Sequence, residues 1–156
     1  MKLEQDKQRT MTEKIVEEIK QALGDRIKGV TIKNSQRVYL QIDPKDIREV
    51  AGYLWKERQA RYSIATTVDN RSSFEVIHHL SLDREGGIMV SIRAILDRDN
   101  PSMPSLAPTI KAASWIEREM NELMGMEFQG HPDMRRLVLA DEWPDGVYPL
   151  RKDYQS

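Results

Sequence analysis

A chain of 156 residues is long enough for one domain with a real core, and a composition of 39% apolar and 31% charged residues means that most of it folds. The 24 basic and 25 acidic side chains are spread along the length and leave a formal net charge of −1, which does not mark a nucleic-acid or membrane-surface protein. Cysteine is absent, which excludes disulfides, thiolate zinc sites, cysteine-ligated iron–sulfur clusters and a cysteine nucleophile.

The chain opens with "MKLEQDKQRT", which lacks the apolar stretch of a signal peptide and points to the cytoplasm. No apolar run approaches the roughly 18 residues of a bilayer span, so no direct membrane span is expected. "TMTEKIVEEIKQALG" reads as a first helix: Ile15, Ile19, Ala22 and Leu23 recur at helical spacing, Thr10 and Glu13 suit a capping box, and Gly24 can end it. Two short strands follow at "GVTIK" and "RVYLQI", where Val38, Leu40 and Ile42 alternate as on a sheet with one buried face. Asp43 then suits an N-cap with Pro44 in the first turn. Ile47, Val50, Ala51 and Leu54 form the apolar stripe of a second helix.

Three strands come next, "RYSIATTV", "FEVIHHLSL" and "IMVSIRAIL", joined by turns rich in Asp, Asn and Gly. Only three histidines exist, and His78 and His79 are neighbours on the middle strand, so they face opposite sides of the sheet and cannot share a metal. "DRDNPSMPSLAP" reads as a loop because of its prolines. "TIKAASWIEREMNELMG" is the third helix, with Ala113, Ile116, Met120 and Leu123 on one face and Gly125 at its end. After that, periodicity stops. The order predicts an α+β fold: a mostly antiparallel sheet with helices packed on it and an extended C-terminal arm. Residues 1–127 form the expected core domain and residues 128–156 the expected docking arm.

Candidate chemistry is sparse. Glu119 and Glu122 are three apart and Arg118 and Glu122 four apart, so they neighbour one another on a helix face. A paired-carboxylate acid/base site is the chemical reading and a solvated face the ordinary one. Trp115 beside these charges favours an interface. His131 and Asp133 could form a proton-transfer pair with Arg135 and Arg136 as anion binders, but no nucleophile stands near in a recognisable setting. "EGG" in a hairpin turn is not a phosphate loop. The arm carries Phe128, Leu137, Val138, Leu139, Trp143, Val147, Tyr148, Leu150 and Tyr154. It is too apolar to be left in water and too irregular to build its own core, which fits a segment that wraps a partner.

Glu117–Arg118–Glu119, Glu122, Gly125, Phe128, Gly130–His131–Pro132–Asp133, Arg135–Arg136 and Pro149–Leu150–Arg151–Lys152–Asp153–Tyr154 together resemble the 30 kDa subunit of respiratory complex I and its counterparts in membrane-bound, energy-converting [NiFe] hydrogenases. The resemblance implies a hydrophilic-arm subunit of an oxidoreductase complex, with no catalytic, cofactor-binding or metal residue of its own. It implies docking on the large catalytic subunit, with the [NiFe] site and iron–sulfur clusters held in that subunit and in a neighbouring iron–sulfur small subunit. The expected partner-docking residues are Glu117, Arg118, Glu119, Glu122, Phe128, His131, Asp133, Arg135, Arg136, Trp143, Tyr148, Arg151, Lys152, Asp153 and Tyr154. Its expected location is cytoplasmic, peripheral at the inner face of the membrane through its complex.

Glu122 replaces a common Asp of complex I members, Gly146–Val147–Tyr148 stands where they tend to show Gly-His before the proline, and Trp143–Pro144 and the early stop after Tyr154 resemble the hydrogenase branch. The 30 kDa subunit of an NADH/quinone oxidoreductase (complex I) is the alternative. A free-standing enzyme using His131, or an adaptor for an unrelated partner, is the remaining reading.

Overall fold

The computed structural model describes the backbone of residues 2–155 and side chains from residue 8 onward. The first helix, α1 (Lys2–Leu23), starts well before the expected N-cap, and Thr10 lies inside it. The physical reason is that "KLEQDKQR" consists largely of good helix formers and contains no breaker. Thr12, Ile15, Val16, Ile19 and Leu23 face inward, whereas Ala22, expected on the stripe, is exposed. Gly24, at φ +54°, ends the helix in a backbone conformation that favours glycine.

Five strands form one sheet in the order β1-β2-β5-β4-β3: β1 (Ile27–Asn34), β2 (Arg37–Ile42), β3 (Arg61–Asp69), β4 (Ser73–Leu82) and β5 (Ile88–Asp97). The pairs β1/β2, β4/β5 and β3/β4 are antiparallel, and β2/β5 is parallel. Alternation decides which face is buried. Val38, Val90, Leu80 and Tyr62 lie in register across one face, as do Leu40, Ile92, His78 and Ala65, and all eight are buried. Gln41, Arg93, Ile77 and Thr66 occupy one register row of the opposite face.

A turn of 3-10 helix at Pro44–Asp46 leads into α2 (Ile47–Lys56). Asp43 occupies the position expected of a cap, but it is the backbone that closes the turn: Asp46 N–H donates to the Asp43 carbonyl at 3.0 Å. The α2 stripe is buried as its spacing predicts. The third helix, α3 (Ala113–Met124), begins after a set of turns and ends at Gly125, φ +70°. The three helices close one core against the inner face of the sheet.

The proline-rich loop contains a strand that its composition does not announce. β6 (Ser102–Pro104) runs parallel to β7 (Glu127–Gln129), with Met103 opposite Phe128. Three-residue strands are too short to show a period, and both central side chains are buried at 1% and 4% exposure. The expected domain boundary between residues 127 and 128 therefore falls inside β7. Beyond Gly130 the chain makes only turns and irregular backbone up to Gln155.

Met126 and Phe128 belong to the core, and side chains of this kind contribute roughly 1.5–3 kcal/mol each when fully buried. A domain's whole stability is about 5–15 kcal/mol. Truncation after Gly125 should consequently cost a large fraction of the stability, whereas truncation after Gly130 should leave a cooperative urea transition. Equal midpoints for the two truncations would contradict the assignment of β7 to the core.

Candidate functional site

The residues that carry the sequence signature form a strap across α3. Arg118 and Glu122 are one turn apart on the outward row of that helix. Arg118 donates through Nε to the Arg135 carbonyl and through Nη2 to the Arg136 carbonyl, both at 2.7 Å. Glu122 accepts the N–H groups of Leu137, Val138 (2.7 Å) and Leu139 (3.2 Å). One cation thus takes two successive carbonyls and one anion the next three amides. A helical turn and two residues of extended chain span nearly the same distance, so the i,i+4 spacing matches the backbone it holds. Glu122, at 8% exposure, is buried beneath the strap.

The strap is fixed again at its far end. Leu150 N–H donates to the Leu123 carbonyl at 3.1 Å, and Arg151 donates to the Met124 carbonyl at 2.7 Å and the Gly125 carbonyl at 3.3 Å. Leu123 and Met124 end α3 and Gly125 caps it, so these carbonyls lack helical partners and attract a cation. Gly125 permits the approach: a Cβ there would stand 2.5 Å from Arg151 Nη2 and from the Tyr148 ring. The Arg151 guanidinium also stacks over Tyr148 and Phe74, with 4.4 Å and 5.1 Å to their centroids.

Asp69, buried at the end of β3, forms the last fastening. It accepts the Lys152 N–H at 2.9 Å and pairs with Arg98 at 2.6 Å, and Arg98 also reaches Asp153 at 2.9 Å. Burial alone would raise the Asp69 carboxyl, but its hydrogen bonds to Arg98, Lys152 and Arg71 and the Arg98 charge outweigh that and hold it at about 2. Between the anchors, Arg136 donates to the carbonyls of Ala140, Asp141 and Trp143 and pairs with Asp145, organising the loop around one guanidinium. Trp143 donates to the Val147 carbonyl at 2.8 Å, and its ring lies 6.4 Å from that of Tyr154.

The root of the strap is a buried polar cluster. Glu117 is fully buried and accepts the Ser105 hydroxyl and the Leu106 N–H (2.7 Å). Burial pushes its carboxyl up, against the lowering effect of those hydrogen bonds and of His131. His131 accepts the Asp133 N–H at Nδ1 (3.0 Å), which leaves Nε2–H to donate to the Ser114 carbonyl at 3.1 Å. Asp133 is held by Arg135 at 2.7 Å instead of by the imidazole, and Arg135 keeps that carboxyl well below the usual range. The His131–Asp133 proton-transfer pair is therefore not formed.

Of the expected docking residues, Glu117, Glu122 and Phe128 are buried within the chain itself, so direct partner contact is not open to them. Arg118, His131, Arg136, Arg151, Lys152 and Asp153 are brought together as fastenings, with Trp143, Tyr148 and Tyr154 packed along the strap. Asp133 and Arg135 pair with one another, and Glu119 faces outward. Sequence reasoning misses Asp69, Phe74, Arg98 and Ser105, which lie on other elements and carry no local signal. His78 and His79 do face opposite sides: His78 bonds the Tyr62 hydroxyl in the core, and burial, then the His79 charge, depresses it to about 3, while His79 bonds Ser91 at 2.8 Å. Among the described residues no group of three or more potential metal ligands converges.

The sequence pattern of the family described as "Respiratory-chain NADH dehydrogenase, 30 Kd subunit" matches residues 40–156. Formate hydrogenlyase subunit 5 of Escherichia coli (strain K12) is 31% identical over 90% of this chain, which spans only 26% of that relative. Membrane-bound hydrogenase subunit beta of Pyrococcus furiosus is 32% identical over 76% of this chain and 70% of its own length. A subunit of the F(420)H(2) dehydrogenase of Methanosarcina mazei is 31% identical over 91% and 90% of the two chains. In fold, the chain matches a chain from the structure of the membrane-bound sulfane sulfur reductase, an archaeal respiratory membrane complex, at a TM-score of 0.74 and 23% identity over 92% of this chain and 85% of that one.

The strap's fastenings can be separated by mutation and by pH. Glu122→Ala strands three amides, each worth about 1–3 kcal/mol if left buried and unpaired, so the strap should detach while the core stays folded. Amides 137–139 should then lose hydrogen-exchange protection while those of β5 keep it. Asp69 has a depressed folded pKa, so its contribution is present above the unfolded value near 3.9 and is lost as pH falls toward about 2. Trp143 fluorescence should change across that window, and Asp69→Asn should abolish the change.

Proposed function

The chain belongs to the family of the 30 kDa subunit of respiratory-chain NADH dehydrogenase, and from that membership we propose that it is a non-catalytic hydrophilic-arm subunit of a membrane-associated electron-transfer complex, docked on the large catalytic subunit. The observation that carries this reading is the strap itself. Arg118, Glu122, Arg136 and Arg151 of its signature bind main chain, and Asp133 pairs with Arg135, so these charges serve to hold a shaped surface in place. The E. coli relative supports a large partner, because the part that matches this chain is 26% of a longer polypeptide. The complex is an energy-converting [NiFe] hydrogenase in this reading, supported by the Trp143–Pro144 element and by hydrogenase relatives at 31% and 32% identity. The [NiFe] site and the iron–sulfur clusters then belong to the large subunit and to an iron–sulfur small subunit, and the chain sits at the inner face of the membrane only through them. No helix among the described residues is long and apolar enough to cross a membrane, which agrees with attachment through partners.

A second reading rests on a specific observation. The Methanosarcina relative, a subunit of an F(420)H(2) dehydrogenase, is nearly coextensive with this chain, at 91% and 90% coverage. That favours the corresponding subunit of a quinone-reducing or related complex I.

Isolating the assembly from membranes through a tag on this chain decides between the two. Nickel at about one per complex is the expected result, and a nickel-free complex carrying iron–sulfur clusters would establish the second reading. The separately purified chain should hold no stoichiometric iron, nickel, zinc or flavin. One tightly bound transition metal per chain would overturn the non-catalytic assignment.

A further inference from the structure

Where α3 packs on the edge strand β3, a cleft of about 160 Å³ opens between Ala65 and Thr67 of β3, Ile116, Met120 and Leu123 of α3, and Leu150 of the strap. The strap is what completes this cleft, because Leu150 is placed there by its own N–H on the Leu123 carbonyl and by Arg151 on the end of α3. The volume falls below the roughly 300–1,000 Å³ of small-molecule sites and suits a single bulky side chain. The rim is apolar and open to water. Leu150 is 60% exposed at its lip, and Trp115, one turn before Glu119 on α3, is 68% exposed; Ile64, 53% exposed, lies on the opposite face of the same edge strand. Glu119 lines the same cleft and has no counter-ion or hydrogen-bond partner among the described residues.

The edge of β3 beside the cleft is unguarded. From Ile64 to Val68 the sequence is "IATTV", with no charge and no proline, and its register break comes earlier, between Tyr62 and Ile64. The other edge strand, β1, carries Lys28, Lys33 and two register breaks, which are the usual protections against pairing. No strand among the described residues pairs with the outer side of β3. An uncharged edge, an apolar socket for one side chain and a lone carboxylate on its lip are complementary to an extended peptide.

Building on the docking reading above, we propose that an extended segment of the large subunit adds to β3, seats one bulky apolar side chain in the cleft, and places a lysine or arginine against Glu119. The strap's role is then to form one wall of the socket as well as to lie on α3. The full chain, tagged and isolated with its complex, is compared with the same chain purified alone. Amides 64–68 should exchange at least roughly tenfold more slowly in the complex. Leu150→Asp and Glu119→Arg, both at solvent-accessible side chains, should each lower the yield of complex by roughly tenfold while leaving the melting temperature of the isolated chain unchanged. A photo-cross-linking residue at position 64 should capture a peptide of the large subunit that contains a basic residue. An intact complex in which residues 64–68 exchange as in the free chain, or wild-type yields from both variants, overturns this proposal alone. Protection of 64–68 in the isolated chain, with a dimeric mass, overturns it in favour of a second copy as the occupant. Recovery of the tagged chain with no partner subunit overturns the docking reading and this proposal with it.

Discussion

Five backbone groups of the strap, from the carbonyl of Arg135 to the amide of Leu139, are satisfied by two side chains of α3. Without those partners this segment would have to give up its polar groups to water or form a ladder, and it has no strand to pair with. The Arg118–Glu122 row thus lets irregular backbone lie against a helix without an unsatisfied group beneath it. Everything downstream depends on that contact. The loop around Arg136, the rings of Trp143 and Tyr148 and the return to Asp69 follow only if the chain leaves α3 in that direction. The charges here act as hydrogen-bonding groups for main chain more than as ion pairs, and such charge-assisted bonds are stronger than neutral ones.

The root cluster sets the angle at which the strap departs. Glu117 joins the turn at Ser105–Leu106 to α3, and His131, held by Asp133 N–H and the Ser114 carbonyl, joins the first turn after β7 to the same helix. A buried carboxylate is costly unless its lone pairs are matched, and here a hydroxyl and an amide match them. His131 and Asp133 look like acid–base machinery in sequence because the same side chains serve both purposes. Their geometry separates the purposes: both nitrogens of the imidazole already have partners within the chain.

The sheet and α2 are legible in sequence because their side chains repeat. Val38, Leu40 and Ile42 alternate, Ile47, Val50, Ala51 and Leu54 recur at helical spacing, and burial follows both patterns. The short strands β6 and β7 are not legible, because three residues cannot display a period. The start of α1 is misjudged because a plausible cap at Thr10 says nothing about what precedes it. At the site, the motif from Glu117 to Tyr154 identifies the right segment but not the direction in which its side chains point. A motif does not distinguish a residue that meets a partner from one that holds the segment in place, so Glu117 and Phe128 read as docking residues although they face in, and Glu122 although the strap covers it. Asp69 and Arg98 are out of reach altogether. They are distant in sequence from Lys152 and Asp153, and only the fold brings them together.

Because the strap is pinned near both ends, its geometry has a thermodynamic meaning beyond the contacts it makes. A free arm would have to surrender about 1–2 kcal/mol of backbone entropy per residue at the moment of association. Here that ordering belongs to the folding of the chain, so a partner meets a surface whose shape already exists, and more of each contact is retained as affinity. The segment between Leu139 and Tyr148 is also a closed loop with fixed ends, for which added length is penalised only logarithmically. Residues added between the points that Arg136 holds and Tyr148 would leave the anchors on either side in place. One scaffold can thereby carry loops of different shape above it.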